Sequence, residues 1–504
     1  MPGDVSDKDS HSPDNSSEVG HDAEMQRPPT PEKPVPQRDP DLVEWEGPDD
    51  VDNPQNWSKT AKWTYTSMAG ILTVFITFAS SIFSTATEAT SKEFGVSTEV
   101  MTLGTSLFVL GFAFGPIAWG PLSELYGRRY PLYFGYTIFG IFQIPVAVSQ
   151  NLQTIFVCRF FGGFFGSAPL AVAGGVLADL WDPVNRGYAF CVFSGATFVG
   201  PVLGPIVGSF VTQSFLGWRW TAWLTAIVTL SFAVLTFPFY PETFAPVILS
   251  QRAERLRHKT KNWALHSRAD MVQVSPKDIA WRYLMRPFVM MSLEPILVLI
   301  TLYMSLVYGI LYLFFEAYPY SFQEVRGWKP GVASLPFISI VIGVGVGALI
   351  IVLTTKYRFA PRMKAAGKVI PEERLVPMII GGFLLPIGLF WFAWTSSPHI
   401  TPWPQIIAGV PIGAGVMVIF LQGLNYIVDC YTLNANSGIA ANTFFRSWVG
   451  AGFPMFATPM YRNLGVPWAS SLLAFLCVAL FPVPIFFYHY GAKIRSWSKF
   501  VPTL

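Results

Sequence analysis

Between residues 64 and 489 the chain alternates long apolar runs with short polar breaks. The runs lie near 64–86, 101–118, 131–149, 154–177, 188–211, 220–240, 290–315, 333–354, 376–395, 405–427, 438–460 and 467–489. Each is long enough to cross about 30 Å of hydrocarbon as a helix. Membrane-barrel strands would alternate apolar and polar positions in short segments, and these runs are continuous. The pattern predicts an all-α membrane protein with twelve transmembrane helices.

The polar breaks predict the organisation. The longest, 241–289, is basic, reads as partly helical over Leu249 to His258, and divides the runs six and six. Residues 1–62 are acidic, rich in Pro, Ser and Asp, and too polar to order themselves by burial. This predicts a disordered tail at 1–62, a six-helix bundle at 63–240, a linker at 241–289, a second six-helix bundle at 290–490 and a tail at 491–504. A faint repeat agrees with the division. Asp179, Asn185-Arg186-Gly187 and Gly200-Pro201 recur about 250 residues later as Asp429, Asn436-Ser437-Gly438 and Gly452-Phe453-Pro454. Two copies of one six-helix unit are the pattern of transporters whose substrate site lies between the halves near the midplane.

Composition sharpens this. Hydrophobic residues make 52% and charged residues 13%, about half the charge of a soluble domain, so lipid is the main solvent. A net charge of +3 is too small to imply a nucleic-acid partner. Lys and Arg crowd 252–286 and 356–374, whereas the loops of the opposite face hold Lys92, Arg219, Arg326, Lys329 and Arg462. Basic residues favour the cytoplasm, which places both termini inside. The first span acts as the signal, and the plasma membrane is the expected site, with the vacuolar membrane as the alternative. Cys158, Cys191, Cys430 and Cys477 have no metal-ligand spacing, and no phosphate-binding Gly-x-x-x-x-Gly-Lys-[Ser/Thr] loop occurs. The expected partners are therefore a small molecule, protons and lipid, without cofactor, metal or nucleotide, for a monomer.

Ionisable groups in hydrocarbon cost about 2.5–3.5 kcal/mol each on insertion scales, so the few present need a reason. Arg159 and Arg446 lie inside spans four and eleven. A guanidinium stays charged near neutrality, so each should face the bundle interior as a partner for an anion or a proton relay, or serve as a structural tie to carbonyls. Glu316 ends an apolar run in span seven, and a half-buried carboxyl there can load and release a proton. Glu294 reads as an interfacial helix start and Glu88 as solvated. Tyr308, Tyr312, Asn425 and Asn442 are polar groups in otherwise apolar spans and are assigned to the substrate cavity. Aromatic residues make 16%, which suits a broad apolar or cationic substrate. In span five, Gly200-Pro201-Val202-Leu203-Gly204-Pro205 pairs kinking prolines with glycines that admit close helix contact, a bend at the interface between halves. Between spans two and three, Gly120-Pro121-Leu122-Ser123-Glu124-Leu125-Tyr126-Gly127-Arg128-Arg129 sets a carboxylate before two guanidinium groups, a lock for neighbouring helix ends.

These residues resemble the major facilitator superfamily, and within it the twelve-span drug/proton antiporters of fungi. The stretch Gly120 to Arg129 is similar to that superfamily's loop signature, with Glu124 in the acidic place and Leu125 departing from the usual basic residue. Cys158-Arg159-Phe160-Phe161-Gly162-Gly163 resembles the span-four motif whose arginine is implicated in proton coupling. Gly200-Pro201 through Gly204 is similar to the antiporter motif of span five, although Ala196 and Pro205 replace its outer glycines. Asn53-Pro54-Gln55-Asn56-Trp57, Phe315-Glu316-Ala317-Tyr318-Pro319 and Tyr240-Pro241-Glu242-Thr243 look like the fungal branch. The resemblance covers residues 50–500. It implies a proton-driven antiporter that exports drugs, toxins or metabolites by alternating access, with protonation and substrate competing. A polyamine exporter is the nearest rival and would call for two or more acidic cavity residues. A membrane-embedded enzyme would need clustered His, Asp or nucleophiles, and the histidines are scattered.

Overall fold

Each of the predicted apolar runs is a helix, and several start on side-chain caps. In the computed structural model, which describes residues 39–271, 281–367 and 369–500, Asn151 Oδ1 accepts from the amide of Thr154 (2.8 Å) and Ser97 Oγ from that of Val100 (3.3 Å). Such caps satisfy amides that a helix start leaves without partners. The spans are α1 (Lys59–Ile82), α2 (Thr98–Leu125), α3 (Arg129–Ala147), α4 (Leu152–Leu180), α5 (Pro183–Gln213), α6 (Arg219–Thr236), α7 (Pro295–Pro319), α8 (Phe337–Thr354), α9 (Leu375–Trp394) and α10 (Gly409–Tyr431). A last run, Ala435–Leu480, breaks at Gly465 (φ 72°, ψ 164°) and is followed by Pro482–Arg495. Residues 435–464 are α11 and 466–495 are α12. Ten helical runs among the described residues are long and apolar enough to cross a membrane. The 61-residue run Ala435–Arg495 is two spans, and the 19-residue α3 completes twelve.

The two halves repeat one packing scheme. In the first, α2 packs on α4, α1 on α5, α3 on α4 and α3 on α6; adding six to each number gives the pairs of the second. Between halves α2 meets α11 and α5 meets α8, and the same operation exchanges these two seams. This is the major facilitator fold.

Glycines set the closest approaches within the first half. A Cβ at Gly200 would collide with Thr77 Oγ1 of α1 and reach 2.6 Å from the Val74 carbonyl, one at Gly204 would collide with Ser81 Oγ, and one at Gly208 would lie 2.5 Å from Thr85 Oγ1. The glycine row of α5 thus faces α1 of its own half, while α5 meets the second half chiefly at α8 and also at α10.

Residues 39–42 form a turn in which the Leu42 amide donates to Asp39 O (3.2 Å). Residues 43–57, expected to belong to the disordered tail, instead form a strap on the linker helix Ala245–Thr260. Arg252 pairs with Glu46 and with Asp50 (2.7 Å), Arg268 with Glu44 (2.6 Å), and the Val43 amide donates to His266 O (2.8 Å). The acidic composition that argued for disorder is what meets the basic linker. Amide and guanidinium donors hold the Asp50 carboxyl below its ordinary range, Glu46 N first and Arg252 second. Tail residues 1–38, linker residues 272–280 with Lys277, Lys368 and residues 501–504 lie outside the described residues.

Candidate functional site

Tyr308, Tyr312 and Glu316 follow one another at helical spacing, so all three stand on one face of α7. Gly450 of α11 shapes that face, because a Cβ there would lie 2.7 Å from the Tyr308 ring. The Tyr308 hydroxyl donates to that of Tyr312 (3.4 Å), and the Tyr312 hydroxyl meets Ser80 Oγ of α1 (2.9 Å) across the boundary between halves. Glu316 is partly accessible although residues 310–315 before it and 317–318 after it are buried. Among the described residues its carboxylate has no hydrogen-bond or ion-pair partner.

Arg446 comes to this face from α11. Its Nη1 donates to Asn442 Oδ1 (3.3 Å), and Asn442 Nδ2 in turn donates to Thr301 Oγ1 (3.1 Å). The guanidinium carbon lies 4.8 Å from the Tyr308 ring centroid and 4.6 Å from that of Phe420 on α10. These two rings are 6.2 Å apart and 24° from parallel, and Phe198 of α5 meets Phe420 edge-on at 4.9 Å. Arg446 Nε is buried without an acceptor among the described residues.

Arg159 is handled differently. It gives Nε to Gly104 O (2.9 Å), Nη1 to Ala79 O (2.8 Å) and Nη2 to Ser80 O (3.3 Å), with Phe83 and Phe108 against its plane. Ser80 therefore touches Arg159 through its carbonyl and Tyr312 through its hydroxyl. One chain of contacts runs Arg159, Ser80, Tyr312, Tyr308, Arg446, Asn442, Thr301, hydrogen-bonded except where the Arg446 guanidinium lies on the Tyr308 ring, and it crosses from one half to the other. Asn425 is buried on α10 outside that chain. Ser80 and Thr301 were missed by sequence reasoning: Ser and Thr are common inside membrane helices, and only their packing distinguishes these two.

The polar end of the spans is a second constellation. Arg128 donates from Nε to Asp179 Oδ2 (3.2 Å) and from Nη1 to Ser123 Oγ (2.9 Å). The Glu242 carboxylate, arriving from the end of α6, accepts the amides of Arg128 (2.8 Å) and Arg129 (3.1 Å), a charge placed at the start of α3. Gly127 (φ 87°) makes room, since a Cβ there would collide with that carboxylate. Gly120 lies in open space. Glu124 spans to the other half, accepting from Asn436 Nδ2 at the start of α11 (2.7 Å). The second half repeats the scheme with Arg374 on Asp429 (2.9 Å), while Glu372 takes Arg495 at the end of α12 (2.7 Å). Glu294, expected at an interface, is buried and ties the starts and ends of three segments, accepting from Tyr431 (3.1 Å) and Ser498 (2.8 Å) hydroxyls. Glu88 is exposed beside Lys92 (2.7 Å).

Comparison with known proteins agrees with this architecture. The family model described as Major Facilitator Superfamily matches residues 69–454. A citrinin biosynthesis cluster MFS transporter of Monascus ruber is 56% identical over 462 residues, covering 92% of both chains. A cercosporin MFS transporter of Cercospora nicotianae is 49% identical over 464 residues, covering 92% of this chain and 90% of the relative. Among solved structures, the proton:xylose symporter XylE aligns over 86% of this chain and 96% of its own with a TM-score of 0.61 at 15% identity, a likeness of fold.

Proposed function

The chain belongs to the major facilitator superfamily, and from that premise we propose that it is a proton-coupled antiporter exporting a toxin or secondary metabolite from the cytoplasm by alternating access. The observation that carries the reading is the polar chain between the halves: charged and hydroxyl groups, otherwise costly in hydrocarbon, converge where the two six-helix units meet. The names of relatives, which tie them to citrinin and cercosporin, support a metabolite as cargo. On this reading Glu316, unpartnered and partly accessible, carries the proton. Arg159 positions Ser80 and so the Tyr312 hydroxyl, and Arg446 meets the substrate together with Tyr308 and Tyr312. Asn442 orients Arg446, while Asn425 stands outside the chain. Glu124, Gly127, Arg128 and Arg129 latch helix ends on the cytoplasmic side, and Gly120 opens the same loop without a close neighbour. Gly200, Pro201 and Gly204 keep α5 fitted to α1 as α5 moves on α8.

The basic linker and the paired loops support an orientation with both termini in the cytoplasm of a plasma-membrane protein. The test is flux in inside-out vesicles under an imposed proton gradient, across a panel of fungal metabolites, with and without a protonophore. Glu316→Gln is expected to abolish gradient-driven accumulation while leaving substrate-for-substrate exchange. Undiminished accumulation in that variant would remove Glu316 from coupling.

A further inference from the structure

The fixed charge at the meeting point of the halves is positive. Arg446 is partly accessible, and only its Nη1 is hydrogen-bonded among the described residues, to a neutral side-chain amide. Its Nε is buried and unpaired. No carboxylate among the described residues pairs with it, and Glu316 lies two helical turns beyond Tyr308, about 12 Å along the axis. The surfaces around it are flat: the Tyr308 and Phe420 rings touched by the guanidinium plane, and the Phe198 ring set edge-on to Phe420 from the other half. A bare ammonium ligand would meet like charge here. A saturated acid would make no ring-to-ring contact with this cluster.

We infer that this site selects flat aromatic acids, with Arg446 binding the anionic group and Phe420, Tyr308 and Phe198 covering the ring. Guanidinium donors in a fork match a carboxylate in two places at once, and Nη2, which makes no hydrogen bond among the described residues and is not among the buried unpaired atoms, supplies one prong. The aromatic plane then extends the stack that Tyr308 and Phe420 begin. This narrows the cargo expected from aromatic content alone, apolar or cationic, to an anion. It rests on reading the polar chain as the transport site.

The experiment separates the two. Calorimetric titration of the full chain in lipid nanodiscs compares naphthoate, naphthylmethanol and naphthylmethylammonium, which share a ring system and differ in charge, with cyclohexanecarboxylate as the non-planar acid. Naphthoate is expected to bind at least about tenfold tighter than the alcohol, the ammonium and the saturated acid. Arg446→Met should erase the preference for charge. Phe420→Leu, which keeps the guanidinium, should preserve that preference and lower the ratio of naphthoate to cyclohexanecarboxylate affinity about fivefold. Equal binding of alcohol and acid, tighter binding of the ammonium, or a charge preference that survives in Arg446→Met overturns the inference. Should Arg446→Met fail to fold, an unchanged affinity ratio in Phe420→Leu overturns it. Gradient-driven flux in vesicles is measured separately with the same probes. Binding without flux sinks the export reading and leaves the anion site standing; flux without preference among the probes does the reverse.

Discussion

Arg159 gives three nitrogens to three backbone carbonyls on two helices, whereas Arg446 gives one nitrogen to a side-chain amide and holds another with no acceptor among the described residues. Both lie in spans, both rest on two aromatic rings, and the chain of hydroxyls between them makes them parts of one network. The difference lies in what their removal leaves behind. Taking away a satisfied cation orphans the groups that satisfied it. Taking away an unsatisfied one removes a cost. A charge buried in a membrane protein can therefore be tied by its surroundings or left with donors unoccupied, and only the second leaves donors for a ligand.

Replacing each arginine by methionine breaks the comparison most directly. Arg159→Met is expected to destabilise the fold by about 3 kcal/mol, read as a large fall in the thermal midpoint of the detergent-solubilised protein and in its yield. Arg446→Met should shift stability by less than about 1 kcal/mol in either direction while erasing the preference for an anionic ligand. Equal losses of stability would erase the distinction. The joint between them comes next. Tyr312→Phe and Ser80→Ala each remove one partner of the hydroxyl pair and should cost about 1 kcal/mol, and the double variant should cost no more than either, since the interaction is shared. The smallest effect belongs to a control outside the membrane, Arg252. Its partner Asp50 has a folded-state pKa below its unfolded one, so the strap gains stability above the unfolded value and loses it as pH falls through the folded value. Acidification toward about pH 4 and below should expose residues 43–57 to limited proteolysis. Asp50→Asn should expose them at neutral pH with transport intact.

The twelve spans and their six-and-six division were legible because lipid imposes length and apolar continuity, both properties of sequence. Arg159, Arg446 and Glu316 were legible for the same reason, being conspicuous in hydrocarbon. Their roles were not. Whether Arg159 meets carbonyls or a cavity depends on where Gly104 and Ala79, on two other helices, present their backbones. Glu294 looked like a helix start with water nearby, but the partners that bury it, Tyr431 and Ser498, arrive from more than a hundred residues downstream. The strap was misread because composition speaks for a segment alone, and Glu44, Glu46 and Asp50 are ordered by basic groups some two hundred residues away.

The close seam where Gly200, Gly204 and Gly208 abut Thr77, Ser81 and Thr85 has a mechanical corollary. Backbones that close cannot slide past each other without Thr77, Ser81 and Thr85 ploughing into the partner helix, so α1 and α5 must travel as one stiff beam. Any tilt that α5 acquires against α8 is then delivered, undamped, to Ser80 on the same beam. A displacement at the rim of the molecule is in this way felt at its electrical centre.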